Sequence, residues 1–152
     1  MTYYRHTQIG YTILVCAAGV VFVLATVGYL AKTLHWMLPA IALLTLAATL
    51  FGSLTTEITD GELRCVFGIG LIRKRFPLRS VVRVESVRNS WFWGWGIRYT
   101  PHGWLFNVSG LSAVELTRSD GKRVRIGTDR PEELARAIRQ SIGLATDPPA
   151  GR

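Results

Sequence analysis

Charge is missing from two long stretches of this chain, and that gap constrains the fold more than any motif does. From His6 to Ala31 there is no Asp, Glu, Lys or Arg, and after Lys32 the same holds from Thr33 to Thr56. Each stretch exceeds the roughly 20 residues a helix needs to span a bilayer. The pattern predicts one transmembrane helix over "GYTILVCAAGVVFVLATVGYLA" (10–31) and a second over "WMLPAIALLTLAATLFGSL" (36–54). Only Lys32, Thr33, Leu34 and His35 lie between them, so the two should form a tight antiparallel hairpin. Pro39 falls near the first turn of the second helix, where its missing N–H does least harm. Tyr3, Tyr4, Tyr11, Tyr29 and Trp36 cluster near the span ends, as interfacial aromatics do. A cleaved signal peptide is the rival for the first span, but the apolar run is too long and "VGYLAK" has no small-x-small cleavage site.

Lys and Arg near the span ends set orientation. The connecting turn holds only Lys32, whereas Arg5, Arg64, Arg73, Lys74 and Arg75 lie on the other side. Both ends of the hairpin are therefore expected in the cytoplasm, in a bacterial-type inner membrane. The expected organisation is a cytoplasmic N-tail (1–9), the hairpin (10–54), a cytoplasmic domain (55–144) and a disordered tail (145–152).

Past the hairpin the pattern is that of short strands. Asp60-Gly61 between "LTTEIT" and "ELRCVF", and Asp120-Gly121 between "AVELTR" and "KRVRIGT", are hairpin signals that require positive φ at the glycines. In the last of these runs Val124 and Ile126 alternate with Arg123 and Arg125, one buried face and one wet face. Pro77 makes "LIRKRFPL" an edge strand or ends it. The period then changes. "TDRPEELARAIRQSIG" predicts a helix with Asp129 as N-cap and an apolar stripe of Leu134, Ile138 and Ile142. About seven antiparallel strands and one helix suit a small barrel or sandwich.

The segments "GWGIRY", "GWLFNVSG" and "AVELTRSDGKRVRIGTDRPEELARAI" resemble the bacterial pleckstrin-homology-like (PH-like) domain of small membrane proteins, which often follows a two-helix anchor. The resemblance implies a seven-stranded, two-sheet roll with a C-terminal helix, and very little biochemistry, because such a fold is an adaptable scaffold. Lipid-binding eukaryotic pleckstrin-homology domains hold inositol phosphates with a basic loop between their first two strands. Here that turn is the acidic "TDGE", so phosphoinositide recognition does not carry over.

No catalytic constellation is evident. The serines lack a His partner, since His102 is the only histidine of the domain, and Asp60, Asp120, Asp129, Glu132 and Glu133 are explained by turns and by a helix N-terminus. Cys16 and Cys65 read as apolar thiols, and no Cys/His spacing suits zinc. The chain is expected to be no enzyme and to need no cofactor, metal or small-molecule substrate. Charge points elsewhere. Arg5 and Lys32 are the only charged residues before Thr55, so 16 of 18 basic and all 10 acidic residues follow, a net of +6. The densest run, "RKRFPLR" (73–79), supplies Arg73, Lys74, Arg75 and Arg79, each worth about 1 kcal/mol against an anionic headgroup layer. Nucleic acid is a poor partner for a domain held at a membrane.

The run "WFWGWGIRYTPHGWLF" (91–106) packs four Trp, two Phe and one Tyr into sixteen positions. As a strand, 91–99 would put Trp91, Trp93, Trp95, Ile97 and Tyr99 on one face. Trp95, Ile97, Val108 and Trp104 or its neighbours are expected mainly in the core, and Trp91, Phe92 and Trp93 at a lipid or partner surface. Two functions follow for the domain: bracing on or sensing anionic lipid, or docking a protein partner or a second copy at a sheet edge.

Overall fold

The charge-free stretches form α1 (Tyr11–Leu30) and α2 (Leu34–Phe51). At 1.5 Å per residue they measure about 30 and 27 Å, close to the hydrocarbon thickness of a bilayer. Gly28 is the only buried residue in either helix. A helix apolar on every side and left uncovered by its own protein suits lipid rather than water. The turn between them is tight because Lys32 takes a left-handed φ of 56°. There the N–H groups of Thr33 and Lys32 cap the carbonyls of Gly28 and Tyr29. Pro39 lies inside α2, beyond its first turn.

The computed structural model describes residues 2–143, so the tail expected over 145–152 lies outside them. The first residues are not a tail. They form β1 (Thr2–Ile9), antiparallel to β2 (Ser53–Thr59), with Arg5 opposite Glu57 and Ile9 opposite Ser53. Tyr4, His6 and Gln8 alternate inward along β1 while Arg5, Thr7 and Ile9 are exposed. β3 (Glu62–Phe67) and β4 (Ile72–Pro77) complete a four-stranded sheet ordered β1-β2-β3-β4, with β4 on its edge. The second sheet holds β5 (Val81–Arg88), β6 (Gly96–Thr100), β7 (Gly103–Asn107), β8 (Ser112–Arg118) and β9 (Arg123–Gly127). Its order is β5-β8-β9-β7-β6, and β7 runs parallel to β9. The described residues thus contain nine strands rather than seven, and one pairing is parallel.

Both Asp-Gly turns form with the glycine at positive φ, +75° at Gly61 and +78° at Gly121. Asp60-Gly61 is a two-residue turn of the primed type, Asp60 itself at φ 51°. The second has three residues, Ser119 to Gly121, closed by the Arg118 N–H donating to the Lys122 carbonyl at 2.9 Å.

The core lies between the sheets. Leu54, Ile58, Leu63, Cys65 and Phe67 meet Val84, Phe106, Val114, Leu116, Val124 and Ile126. α3 (Pro131–Ser141) covers one side with Leu134, Ala135 and Ile138, while Ile142 packs at the margin. Its N-cap is Arg130, not Asp129. Asp129 instead takes a hydrogen bond with the His6 ring, which ties β1 to the approach of α3.

Candidate functional site at the hairpin end of the sandwich

α1 and α2 enter the sandwich with no linker. β1 ends at Ile9 and β2 starts at Ser53, directly opposite, and the Gly10 N–H donates to the Gly52 carbonyl at 2.8 Å. Strand direction then sorts every connection to one of two ends. The β3–β4 turn (68–71), the segment after β5 (89–95) and the loop after β7 (108–111) lie at the hairpin end. The turns at 60–61, 78–80, 101–102 and 119–121 lie at the far end.

The β3–β4 turn rests on α2. A Cβ on Gly68 would sit 2.1 Å from the Thr49 carbonyl oxygen and 2.6 Å from that of Leu50. The turn backbone therefore lies against the last helical turn, and the Gly68 N–H donates to the Ser53 carbonyl. From this position Ile69 and Leu71 project with 65% and 72% of their surface exposed. Soluble turns are built from polar residues; this one carries two large aliphatic ones.

The segment after β5 is fastened from below. Arg125 and Glu115 are directly opposed on β9 and β8 and almost buried, with Arg125 Nε donating to Glu115 Oε2 at 2.6 Å. A second Arg125 nitrogen donates to Asn89 Oδ1 at 3.3 Å, and the Asn89 N–H donates to the Leu111 carbonyl. Trp91–Trp93 is a single 3-10 turn, not the start of a strand, and Gly94 leaves it at φ +62°. The expected five-residue face is therefore broken. Trp91 and Phe92 are 76% and 73% exposed, and the ring of Phe92 meets those of Trp91 and Trp93 edge-on. Val108 is core and Ile97 packs against it, as expected. Trp95 is exposed, a correction; of Trp104 and its neighbours, Leu105 and Phe106 are buried as expected, while Trp104 itself is exposed and its ring lies between those of Tyr99 and Phe106.

Two arginines hold these projecting segments by the same short-range device. Arg73 Nε donates to the Gly70 carbonyl and Arg98 Nε to the Trp95 carbonyl, each three residues back. The four basic residues expected at the surface are not brought together. Arg73 is at the hairpin end. Lys74 and Arg75 follow along the exposed edge strand β4, opposite Cys65 and Arg64. Arg79 sits in the 3-10 turn Leu78–Ser80 at the far end. From Arg73 to Pro77 the strand alone covers about 13 Å. Trp91, Phe92 and Trp93 share the hairpin end with Arg73 only. Ile69, Leu71 and Arg98 were missed. The signal for the first two was "GIGL", a glycine turn whose other residues are apolar.

Among the described residues no three of His, Cys, Asp and Glu gather as metal ligands. Burial pushes the Cys65 thiol up to about 12, which leaves it inert. No family model, curated protein or solved structure matches the chain.

Proposed function

We propose that this chain is a two-pass inner-membrane protein whose PH-like β module braces on the cytoplasmic headgroup layer and catalyses no reaction. The observation that carries this reading is the apolar collar at the hairpin end: exposed Ile69, Leu71, Trp91 and Phe92 beside the two helix entries. Gly68 lies level with Thr49 and Leu50 of α2, so the tip beyond it reaches bilayer depth wherever α2 spans. The basic residues near the span ends, against Lys32 alone in the turn, support the cytoplasmic side. Two sheets closed by a C-terminal helix are consistent with the PH-like resemblance, although nine strands exceed its seven.

Magnitudes decide what the bracing rests on. Arg73 and Arg98 at the interface contribute about 1 kcal/mol each. Four large apolar side chains contribute about 1.5 kcal/mol apiece or more when fully buried. Insertion therefore outweighs charge, and charge adds preference for anionic lipid. A variant retaining only Trp91 and Trp93 tests this in liposomes containing depth-graded quenchers. Quenching at headgroup level or deeper, persisting in high salt, is the expected result. Quenching only by an aqueous reagent sinks the reading. A second reading, docking of a protein at a sheet edge, draws on edge strand β6 with exposed Tyr99 beside exposed Trp104 on β7. Retention of a specific protein by the full chain, lost in a Tyr99→Ser/Trp104→Ser variant, favours it.

A further inference from the structure

Beside the collar, one face of the helix pair is not filled. Cys16 and Ala17 of α1 and Leu44 and Ala47 of α2 line an apolar groove of about 560 Å³, within the usual range for a small-ligand site. The segment Trp95–Arg98 forms its lower wall. Along α1 the groove runs from Thr12 to Val20, which is about 12 Å of the roughly 15 Å that one leaflet's hydrocarbon occupies.

The mouth of this groove is charged, and with one sign. Arg98 is the only charged residue of the lining. Its Nε is used on the Trp95 carbonyl. No described carboxylate forms an ion pair with it, which leaves its two terminal nitrogens for a phosphate, the geometry a guanidinium favours. An apolar trough of leaflet length, opening at a guanidinium where the helix enters the sandwich, matches one molecule: a lipid with its chain along the helices and its phosphate at the sheet.

We infer that the groove between α1, α2 and β6 holds one anionic glycerophospholipid, with an acyl chain against Ala17 and Ala47 and the phosphate on Arg98. This rests on the membrane reading above and adds a single-molecule site to the general bracing. The site would turn part of the collar's contact from any lipid to one bound lipid that travels with the protein.

The full chain in nanodiscs of equal phosphatidylglycerol and phosphatidylethanolamine provides the test, with native mass spectrometry of the released protein. One retained phosphatidylglycerol is expected, enriched about fivefold over phosphatidylethanolamine, the worth of one basic side chain at a membrane surface. Arg98→Gln should remove the enrichment, and Ala17→Phe, which fills the trough, should remove the retained lipid. Absence of a retained lipid in the parent chain overturns the inference, as does equal retention of both lipids or enrichment untouched by Arg98→Gln. Efficient oxidative crosslinking of two chains through Cys16, which lines the groove, also overturns it by showing a second helix there. The quenching measurement is run in parallel, on the variant that retains only Trp91 and Trp93. Headgroup quenching without a retained lipid removes the groove site alone, whereas loss of the quenching removes the membrane reading beneath it.

Discussion

Cys65 has no exposed surface and sits on β3 between the sheets, so its thiol is held neutral by desolvation, with its pKa raised from 9.0 to about 12. The sign of the resulting linkage follows directly. The unfolded chain releases this proton at lower pH than the folded one, so the stabilisation is whole below about pH 9 and is lost as pH rises toward 12. Between pH 9.5 and 11 the parent chain should lose about 2 kcal/mol more than a Cys65→Ala variant, as the slope approaches 1.36 kcal/mol per pH unit above the unfolded pKa. Thermal melting of both proteins in mild detergent, followed by circular dichroism, checks it. Parallel pH profiles would mean that the thiol is not shielded. The variant itself should be less stable at neutral pH, because a small cavity replaces the sulfur.

Turns are the elements on which the fold's ends depend, and two of them separate strain from collision. Gly121 has φ +78° and open space where a Cβ would lie. Replacing it with Val costs backbone strain alone, about 1 kcal/mol or a little more. Gly68 combines φ +49° with a Cβ position 2.1 Å from a helix carbonyl. A Gly68→Val variant must lift the β3–β4 turn off α2, and a loss of about 3 kcal/mol or more is expected. Urea unfolding of the two variants should rank them in that order, and equal losses would argue against the turn-to-helix contact. The same contrast explains what was legible in the sequence. Asp-Gly chemistry and the Leu134/Ile138 stripe are local signals, and both turns and α3 form where they point. β1 was illegible as a strand because the partner that completes it lies 48 residues away, as with Thr7 and Thr55. Trp95 is expected in the core as part of the PH-like segment "GWGIRY", but it precedes β6, between Gly94 at φ +62° and Gly96 at φ +106°, and is exposed. Arg98 carries no pattern of its own; only the fold brings it beside α1 and α2.

At the scale of the whole molecule, the pairing of Ile9 with Ser53 restricts how the chain can lie in a bilayer. β1 and β2 can pair only on one side, so a single inserted helix with its two ends apart is incompatible with the sheet. Which side is a separate matter, and the basic bias points to the cytoplasm. A Thr33→Cys variant lacking Cys16 and Cys65 should react with an impermeant maleimide added outside spheroplasts. Labelling only after the membrane is opened would reverse the orientation while leaving the hairpin intact.

The same pairing has a consequence for how the protein is made. β1 leaves the ribosome before the hairpin does, and its partner follows only after the whole hairpin has been synthesised. With 48 residues between Thr7 and Thr55, the delay at ordinary translation speeds is roughly 2–10 s. During that interval β1 is an unpaired strand whose inward residues have nothing to face. If the hairpin spans the membrane twice, as proposed, the sheet can close only when α2 has returned the chain to the side where β1 waits. On that reading, completion of the β1–β2 pairing records that insertion has finished.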